Sequence, residues 1–286
     1  MAVHSTSQGT VRWRFAKFTR HRGLMIGSTI FVLLVLSVLA APMISPADPN
    51  FQNAMATFGP PSLAHPMGTD AFGRDMMARV LWGGRVTMLA SLSVVVLGAL
   101  VGTMLGLIAG YFQGVVGFVI MRLVDLLLAF PGILLALAVT AILGPGIENG
   151  VIAISIILVP VYVRLVEGAT VEVRALPFVD AATTLGAGSM RIILTHVLPN
   201  VLSSVIVMTT TWLGIAALWI TALGFIGLGV QPPQAEWGAI LNDGQMFLTL
   251  AWWMTVFPGL FLALFVISVN MIGDGLRDVL DPIIRD

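Results

Sequence analysis

Residues 176–200 read LPFVDAATTLGAGSMRIILTHVLPN and lie between two long apolar runs of the chain. Pro177 suits the first position of a helix, where a missing N–H costs no hydrogen bond. Gly186 suits the left-handed residue that ends a helix, and Ser189 can cap a second short helix. We expect that second helix to stop before Pro199. The stretch therefore predicts a helix–turn–helix segment between two apolar spans, which is either a docking site for another protein or merely a connector.

The overall composition is that of a membrane protein. Of 286 residues, 58% are hydrophobic and 10% are charged, and the mean hydropathy is +0.99. An average soluble domain carries about 25% charged residues, so lipid must be the solvent for most of this surface. The net charge of zero argues against a nucleic-acid partner. Cysteine is absent from the sequence, which excludes disulfides, thiolate metal sites and cysteine nucleophiles.

Apolar runs predict an all-α integral membrane protein with about six transmembrane helices, since a span needs about 20 mostly apolar residues. The fourth of these runs is short and contains Pro160. In the second run, glycine recurs at every fourth position, from Gly98 to Gly110, which allows close approach of another helix in lipid. The predicted spans cover residues 23–41, 86–110, 126–143, 150–166, 201–230 and 247–272.

Basic residues predict the orientation, because Lys and Arg concentrate in cytoplasmic loops. Six spans place eleven of the fourteen basic residues on the side of the N-terminus, leaving Arg74, Arg79 and Arg85 on the other. Both termini are therefore expected in the cytoplasm. Leu39-Ala40-Ala41 faintly resembles a signal-peptide cleavage site, but cleavage would leave five spans, so a retained anchor is favoured.

These spans divide the chain into four parts. In the extracytoplasmic part, Thr69 or Asp70 can cap a helix whose apolar face includes Met76 and Val80. This pattern predicts a helix in the interface plane, with a solvated surface helix as the alternative. The parts are a basic cytoplasmic segment (1–22), a first anchor helix (23–41), an extracytoplasmic segment (42–85) and a core of five helices (86–286) with a cytoplasmic loop at about 167–199.

Few residues near the spans carry charge. Arg122 and Asp125 lie three apart on one helical face, and they form either a gate or a snorkelling interfacial ion pair. Arg164 and Glu167 are interpreted in the same way. Candidates for the pore lining are the run of threonines at 209–211 and Trp212, although threonine hydroxyls can instead bond to the preceding turn; the pore candidates carried forward are Thr210 and Trp212.

The sequence lacks the residues that several classes of protein require. The four histidines lie outside the predicted spans, and no metal-binding or catalytic arrangement lies at membrane depth, so neither an enzyme nor a metal site is expected. The single lysine, Lys17, follows Ala16, and a phosphate-binding P-loop needs Lys after Gly. If ATP drives this protein, another chain must bind it. A proton- or ion-coupled secondary transporter is the alternative, disfavoured because the spans hold few ionisable groups.

The segment 176–200 also resembles the EAA motif of ABC-importer permeases, E-A-A-x3-G-x9-I-x-L-P. Asp180 replaces the Glu of the motif and keeps its carboxylate. His196 replaces Ile, as in the peptide-transporting branch of the family. The other matching residues are Ala181, Ala182, Gly186, Leu198 and Pro199.

Further segments resemble the same branch and extend the likeness over nearly the whole chain. Residues 65–75 resemble H-P-x-G-T-D-x-x-G-R-D, and residues 121–125 with Phe130-Pro131 resemble the entry to its third span. The C-terminal signature is resembled by Phe257-Pro258-Gly259, Asn270, Gly273-Asp274-Gly275-Leu276-Arg277-Asp278 and Leu280-Asp281-Pro282.

The resemblance implies a type I ABC-importer permease fold in a bacterial cytoplasmic membrane. It implies a second, similar permease, two P-loop ATPase subunits that dock on the EAA loops and bind ATP-Mg, and an extracytoplasmic substrate-binding protein. No cofactor is then expected in this chain. Short peptides are the implied cargo, with glutathione or nickel as alternatives, and the EAA residues would couple the pore to the ATPases.

Overall fold

A computed structural model of the protein describes residues 21–46 and 48–280. The basic residues Arg12, Arg14, Lys17 and Arg20, and the Asp281-Pro282 end of the C-terminal motif, lie outside these residues. The described chain is built from helices. Their bounds are α1 Arg22–Leu39, α2 Ala41–Ile44, a 3₁₀ turn Ala54–Ala56, α3 Met76–Phe112, α4 Gly114–Leu128, α5 Gly132–Leu143, α6 Ile147–Arg174, α7 Pro177–Thr184, α8 Ser189–Ile192, a π turn Ile193–Val197, α9 Leu198–Phe225, α10 Trp237–Gln245 and α11 Trp253–Leu280.

Five helices are long and apolar enough to cross a membrane: α1, α3, α6, the combined α8–α9 stretch and α11. The pair α4–α5 passes the same test together and makes a sixth span if it is counted as one. The prediction of an all-helical protein with about six spans is therefore confirmed.

The predicted interfacial helix is wrong as a separate element. Residues 76–85 are the first turns of α3, which runs for 37 residues without a break. The cap is Asp75, whose carboxylate accepts from the Ala78 N–H at 2.8 Å, and not Thr69 or Asp70. At 1.5 Å per residue α3 is roughly 55 Å long, so it extends beyond the apolar layer that defined the predicted span.

The predicted third span, residues 126–143, is also wrong as a single helix. The chain bends by 90° between α4 and α5. Pro131 stands at the bend with extended backbone, φ −58° and ψ 122°. Proline has no N–H to continue the helix and pushes the residue before it away from helical geometry. By contrast, α6 continues through Pro160 for 28 residues, beyond the predicted 150–166.

The glycine stripe brings α3 against α6. A Cβ at Gly98 would lie 2.8 Å from the Leu158 side chain, and one at Gly106 would lie 2.7 Å from Val166. Any larger side chain would force the helices apart, so the prediction of close packing is confirmed. The contact repeats every four residues along both helices, since Gly102 lies against Tyr162 and Gly110 lies against Thr170.

Two clusters of buried residues organise the fold. One joins α3, α6 and α9, and residues of segment 176–200 pack into it. The other joins α1 and α11 to the start of α3 and to α10, around the fully buried Trp237. The predicted sixth span, 247–272, is shifted, because α11 begins at Trp253, after the separate helix α10.

Candidate functional site

The segment 176–200 begins with α7, whose two ends follow its sequence. Leu176 has extended backbone, and Pro177 occupies the first helical position, as predicted. At the other end Gly186 has φ +81°, which confirms the predicted left-handed residue. The Ala187 N–H donates to the Ala182 carbonyl at 3.1 Å, and the Gly186 N–H donates to the Thr183 carbonyl at 2.9 Å. These two bonds form a Schellman motif that satisfies the end of the helix.

The second half of the segment differs from its prediction. The N-cap of α8 is Gly188, and Ser189 is the first helical residue. The chain does not stop before Pro199 but passes through the π turn directly into α9. In this turn the Leu198 N–H donates to the Ile193 carbonyl, and the wider ring changes the hydrogen-bond register where Pro199 cannot donate.

One face of this segment is anchored in the hydrophobic core of the protein. Val179 from α7 and Ile192 from α8 are buried, and so are Ile193 and Val197 of the π turn. All four belong to the cluster formed by α3, α6 and α9. The segment is therefore braced from one side, and movement of α7 relative to the core would expose apolar surface.

The opposite face is open and partly apolar. Leu185 is 88% exposed and Met190 is 68% exposed, and Phe178 beside them packs loosely on His196, with ring centroids 6.1 Å apart. Among the residues predicted to contact the ATPase, Asp180, Ala181, Gly186 and Pro199 are exposed, and Ala182, His196 and Leu198 are half-buried. Apolar side chains presented on a braced helix are suited to a protein contact.

The charged side chains Arg122 and Asp125 on α4 meet a third partner. Their closest charged atoms, Nη1 and Oδ2, are 3.8 Å apart, and Arg164 from α6 pairs with the other oxygen of Asp125. The sequence had associated Arg164 with Glu167 instead. All three paired side chains are exposed, with exposed fractions between 44% and 66%. Whether this triad is a gate stays a prediction.

The pore candidates lie on α9 with their own local contacts. The Thr210 hydroxyl donates to the Val207 carbonyl at 2.7 Å, and Thr210 faces Gly273 of α11. Trp212 is half-buried and packs edge-on against Trp219, with ring centroids 6.1 Å apart. Their role in a pore stays a prediction.

A buried ionic network lies at the N-terminal end of α3, and the sequence did not predict it. Asp70 accepts from Arg74 Nε at 2.6 Å and lies 3.5 Å from Arg79 Nε. Both arginines also reach Asp243 of α10, at 3.4 and 3.5 Å. Asp70, Arg74 and Arg79 are almost fully buried. The motif at 65–75 therefore ties the start of α3 to a helix about 170 residues later.

A second buried carboxyl completes the attachment of α10. Glu236 is fully buried and caps this helix by accepting from the Ala239 N–H at 3.0 Å, and its other oxygen is 2.8 Å from the Thr87 hydroxyl. Burial raises the pKa of the Glu236 carboxyl above its usual range, in spite of hydrogen bonds from Gly238, Thr87 and Ala239 that lower it. No signal in the sequence distinguished this glutamate from a surface residue.

The described residues hold no group of three or more His, Asp or Glu side chains that could bind a metal ion. The fold defines a helical membrane protein of several spans, with a braced helix–turn–helix between two of them. A family model described as "Binding-protein-dependent transport system inner membrane component" matches residues 102–286, and one described as "N-terminal TM domain of oligopeptide transport permease C" matches residues 7–61. The chain therefore belongs to the family of permease subunits of binding-protein-dependent ABC importers, which are multi-pass proteins of the bacterial inner membrane.

Three named relatives match more than nine tenths of the chain. The di/tripeptide transport system permease protein DppC of Pseudomonas aeruginosa is 42% identical, over 94% of this chain and 91% of its own length. The dipeptide permease DppC of Alkalihalophilus pseudofirmus is 41% identical over 94% and 90% of the two chains. The glutathione transport system permease protein GsiD of Pectobacterium atrosepticum is 40% identical over 94% and 89%.

A solved structure has the same fold. The inward-facing MetNI methionine ABC transporter contains a chain that aligns with a TM-score of 0.58 at 18% identity. The alignment covers 72% of this chain and 98% of that one. The expected type I importer fold is therefore confirmed.

Proposed function

We propose that this chain forms half of a translocation pathway for short peptides and that segment 176–200 couples it to separate ATPase subunits. The observation that carries the coupling role is the contrast between the two faces of the segment. One face is buried in the core, so force applied to α7 reaches α3, α6 and α9. The other presents Leu185 and Met190 to a partner.

The proposal assigns the remaining parts to other chains. A second, homologous permease completes the pathway, an extracytoplasmic protein delivers the peptide, and two P-loop subunits bind ATP-Mg. The sequence supports this division because its single lysine does not follow a glycine-rich loop. The cargo rests on the names of the relatives, among which peptide permeases and a glutathione permease occur.

Reconstitution tests this function. The chain should bind no nucleotide alone, and ATPase activity stimulated by the peptide-loaded binding protein should appear only with the sister permease and the ATPases. Uptake into proteoliposomes should require internal ATP and persist when the proton gradient is collapsed. Stoichiometric nucleotide binding to the isolated chain, or uptake that follows the proton gradient, would contradict the proposal. Competition by dipeptides, glutathione and Ni²⁺ identifies the cargo.

The proposed orientation places both termini and segment 176–200 in the cytoplasm. The chain has no native cysteine, so single cysteines report on topology without background. Ser62 and Thr184 are both exposed. A cysteine at position 62 should react with an impermeant reagent in intact cells whose outer membrane is permeable, and a cysteine at 184 only after the inner membrane is opened. The reverse pattern would show that the orientation is wrong.

A further inference from the structure

A groove of about 550 Å³ lies between α1 and α3 and reaches α9 and α11. Its ten lining residues are apolar with one exception, Arg85 of α3. The rim is open, since Leu39 of α1 and Leu89 of α3 are 61% and 64% exposed. Both helices are long and apolar enough to span a membrane, so we expect hydrocarbon chains of the bilayer at this opening.

Arg85 is held at the groove by the C-terminal turn of α1 and by an aromatic ring. Its Nε donates to the Val38 carbonyl at 2.8 Å and its Nη2 to the Leu39 carbonyl at 2.6 Å, both in the last turn of α1. The guanidinium lies 4.4 Å from the centroid of the Trp82 ring. These contacts hold the side chain in one place and bridge α1 to α3.

Arg85 differs from the two preceding arginines in lacking a carboxylate partner among the described residues. Arg74 and Arg79 pair with Asp70 and Asp243. Across residues 21–46 and 48–280, no carboxylate lies within ion-pair distance of Arg85, and its Nη1 donates to no protein acceptor. A cation at the edge of an apolar groove in a membrane favours an anion that can be reached from the same groove.

We propose that the groove binds one phospholipid with an anionic headgroup, with an acyl chain between α1 and α3 and the phosphate on the guanidinium of Arg85. The apolar walls accept hydrocarbon, and the remaining guanidinium donors match phosphate oxygens. A zwitterionic headgroup carries an ammonium that opposes Arg85, so the site favours phosphatidylglycerol over phosphatidylethanolamine. The bound lipid fills the space that the two helices leave open and joins α1 to the rest of the fold.

The test uses the assembled importer in nanodiscs that contain equal amounts of phosphatidylglycerol and phosphatidylethanolamine. One of the two lipids carries a photoreactive diazirine on its acyl chain, and peptide mapping locates the cross-links. Phosphatidylglycerol should label the α1 and α3 peptides that line the groove roughly fivefold more than phosphatidylethanolamine does. This ratio corresponds to the attraction between one basic residue and an anionic lipid. Equal labelling by the two lipids would overturn the proposal.

Two variants and two controls separate headgroup from chain. Arg85→Gln should abolish the preference for phosphatidylglycerol, and Arg85→Lys should keep it, since the charge remains when the paired donors to α1 are lost. Leu89→Trp fills the groove and should reduce labelling by both lipids. Leu100→Trp, at a leucine of α3 that is 68% exposed and lies away from the groove, should change neither. If the groove of the assembled importer takes no label, a partner chain covers it and the assignment is wrong; unchanged selectivity in Arg85→Gln also contradicts it.

Discussion

The two ends of this permease are stabilised in different ways. At one end, the side chains of Asp70, Arg74 and Arg79 are buried together, and the two arginines reach Asp243 across the fold. At the other, the helix–turn–helix of residues 176–200 depends on a backbone motif at Gly186 and on a single buried face. Substitution should therefore damage folding at the first end and communication with a partner at the second.

The largest effect is expected from Arg74→Ala. This change leaves Asp70, which is 2% exposed, without its closest cation. Removing one member of a buried ion pair costs about 3–5 kcal/mol, because the other charge stays buried, and we expect the lower end of this range because Arg79 stays 3.5 Å from Asp70. Membrane levels of the chain should fall strongly, as measured by immunoblot of isolated membranes. Asp48→Asn, at an exposed carboxylate of the same segment, is the control and should leave the level unchanged; normal levels of Arg74→Ala would contradict the structural role.

Gly186→Val should give the opposite phenotype. A Cβ at Gly186 would meet no atom within 4 Å, so the cost comes from its φ of +81° alone, about 1–2 kcal/mol for a residue with a side chain. That is too little to prevent insertion of helices whose backbone is satisfied in lipid. Normal membrane levels are expected, with ATPase affinity reduced roughly 5- to 30-fold and uptake reduced with it.

Gly188→Val is the matched control for this change. Gly188 is also exposed, and a Cβ there also meets no atom within 4 Å, but its φ is −67°. Binding of purified ATPase to the reconstituted permease should therefore be close to normal for Gly188→Val. If both valines weaken binding equally, the left-handed geometry of Gly186 is not the cause; if neither does, the segment is a connector and not a coupling site.

Prediction from the sequence was most successful where one local rule decides the geometry. The φ of Gly186 and the packing of the glycine stripe in α3 follow from glycine lacking a Cβ, and both were predicted. The bend at Pro131 has a local cause as well, but hydropathy alone continued through it and gave one span. Hydropathy also cut α3 at Arg85, because the charges of Arg79 and Arg85 lower the average hydropathy although both residues lie within the helix.

The ionic network could not be predicted because it joins segments that are distant in the chain. Arg79 and Asp243 are 164 positions apart, and neither local sequence marks the other as its partner. The same holds for Glu236 and Thr87, and for the pairing of Arg164 with Asp125. Such contacts depend on how the helices pack, so only the three-dimensional structure separates a buried ionisable residue from an exposed one.

Asp180→Lys tests the outward face of the helix–turn–helix segment by charge. Asp180 is exposed, so its substitution disturbs little within the chain, and an exposed ion pair contributes about 0.2–1 kcal/mol. Reversing the charge should weaken ATPase binding several-fold, and added salt should reduce the difference from wild type. Asp180→Glu, which keeps the carboxylate, should bind normally. A loss of affinity for Asp180→Lys that is independent of salt would point to a change of structure instead of a lost charge contact.

The smallest effect is expected from Glu236→Gln, and it depends on pH. Because the pKa of Glu236 is raised in the folded protein, the folded state holds the proton more tightly than the unfolded state. This contribution to stability is fully present below the unfolded pKa of about 4.3 and is lost as pH rises through the higher folded pKa. Glutamine resembles the protonated acid at all pH values. The variant and the wild type should therefore have similar melting temperatures at the acidic end of this window, and the variant should be the more stable as pH increases. Glu172→Gln, at an exposed glutamate, should show no such divergence. A Glu236→Gln curve parallel to wild type across the whole range would mean that the buried carboxyl does not exchange its proton on unfolding.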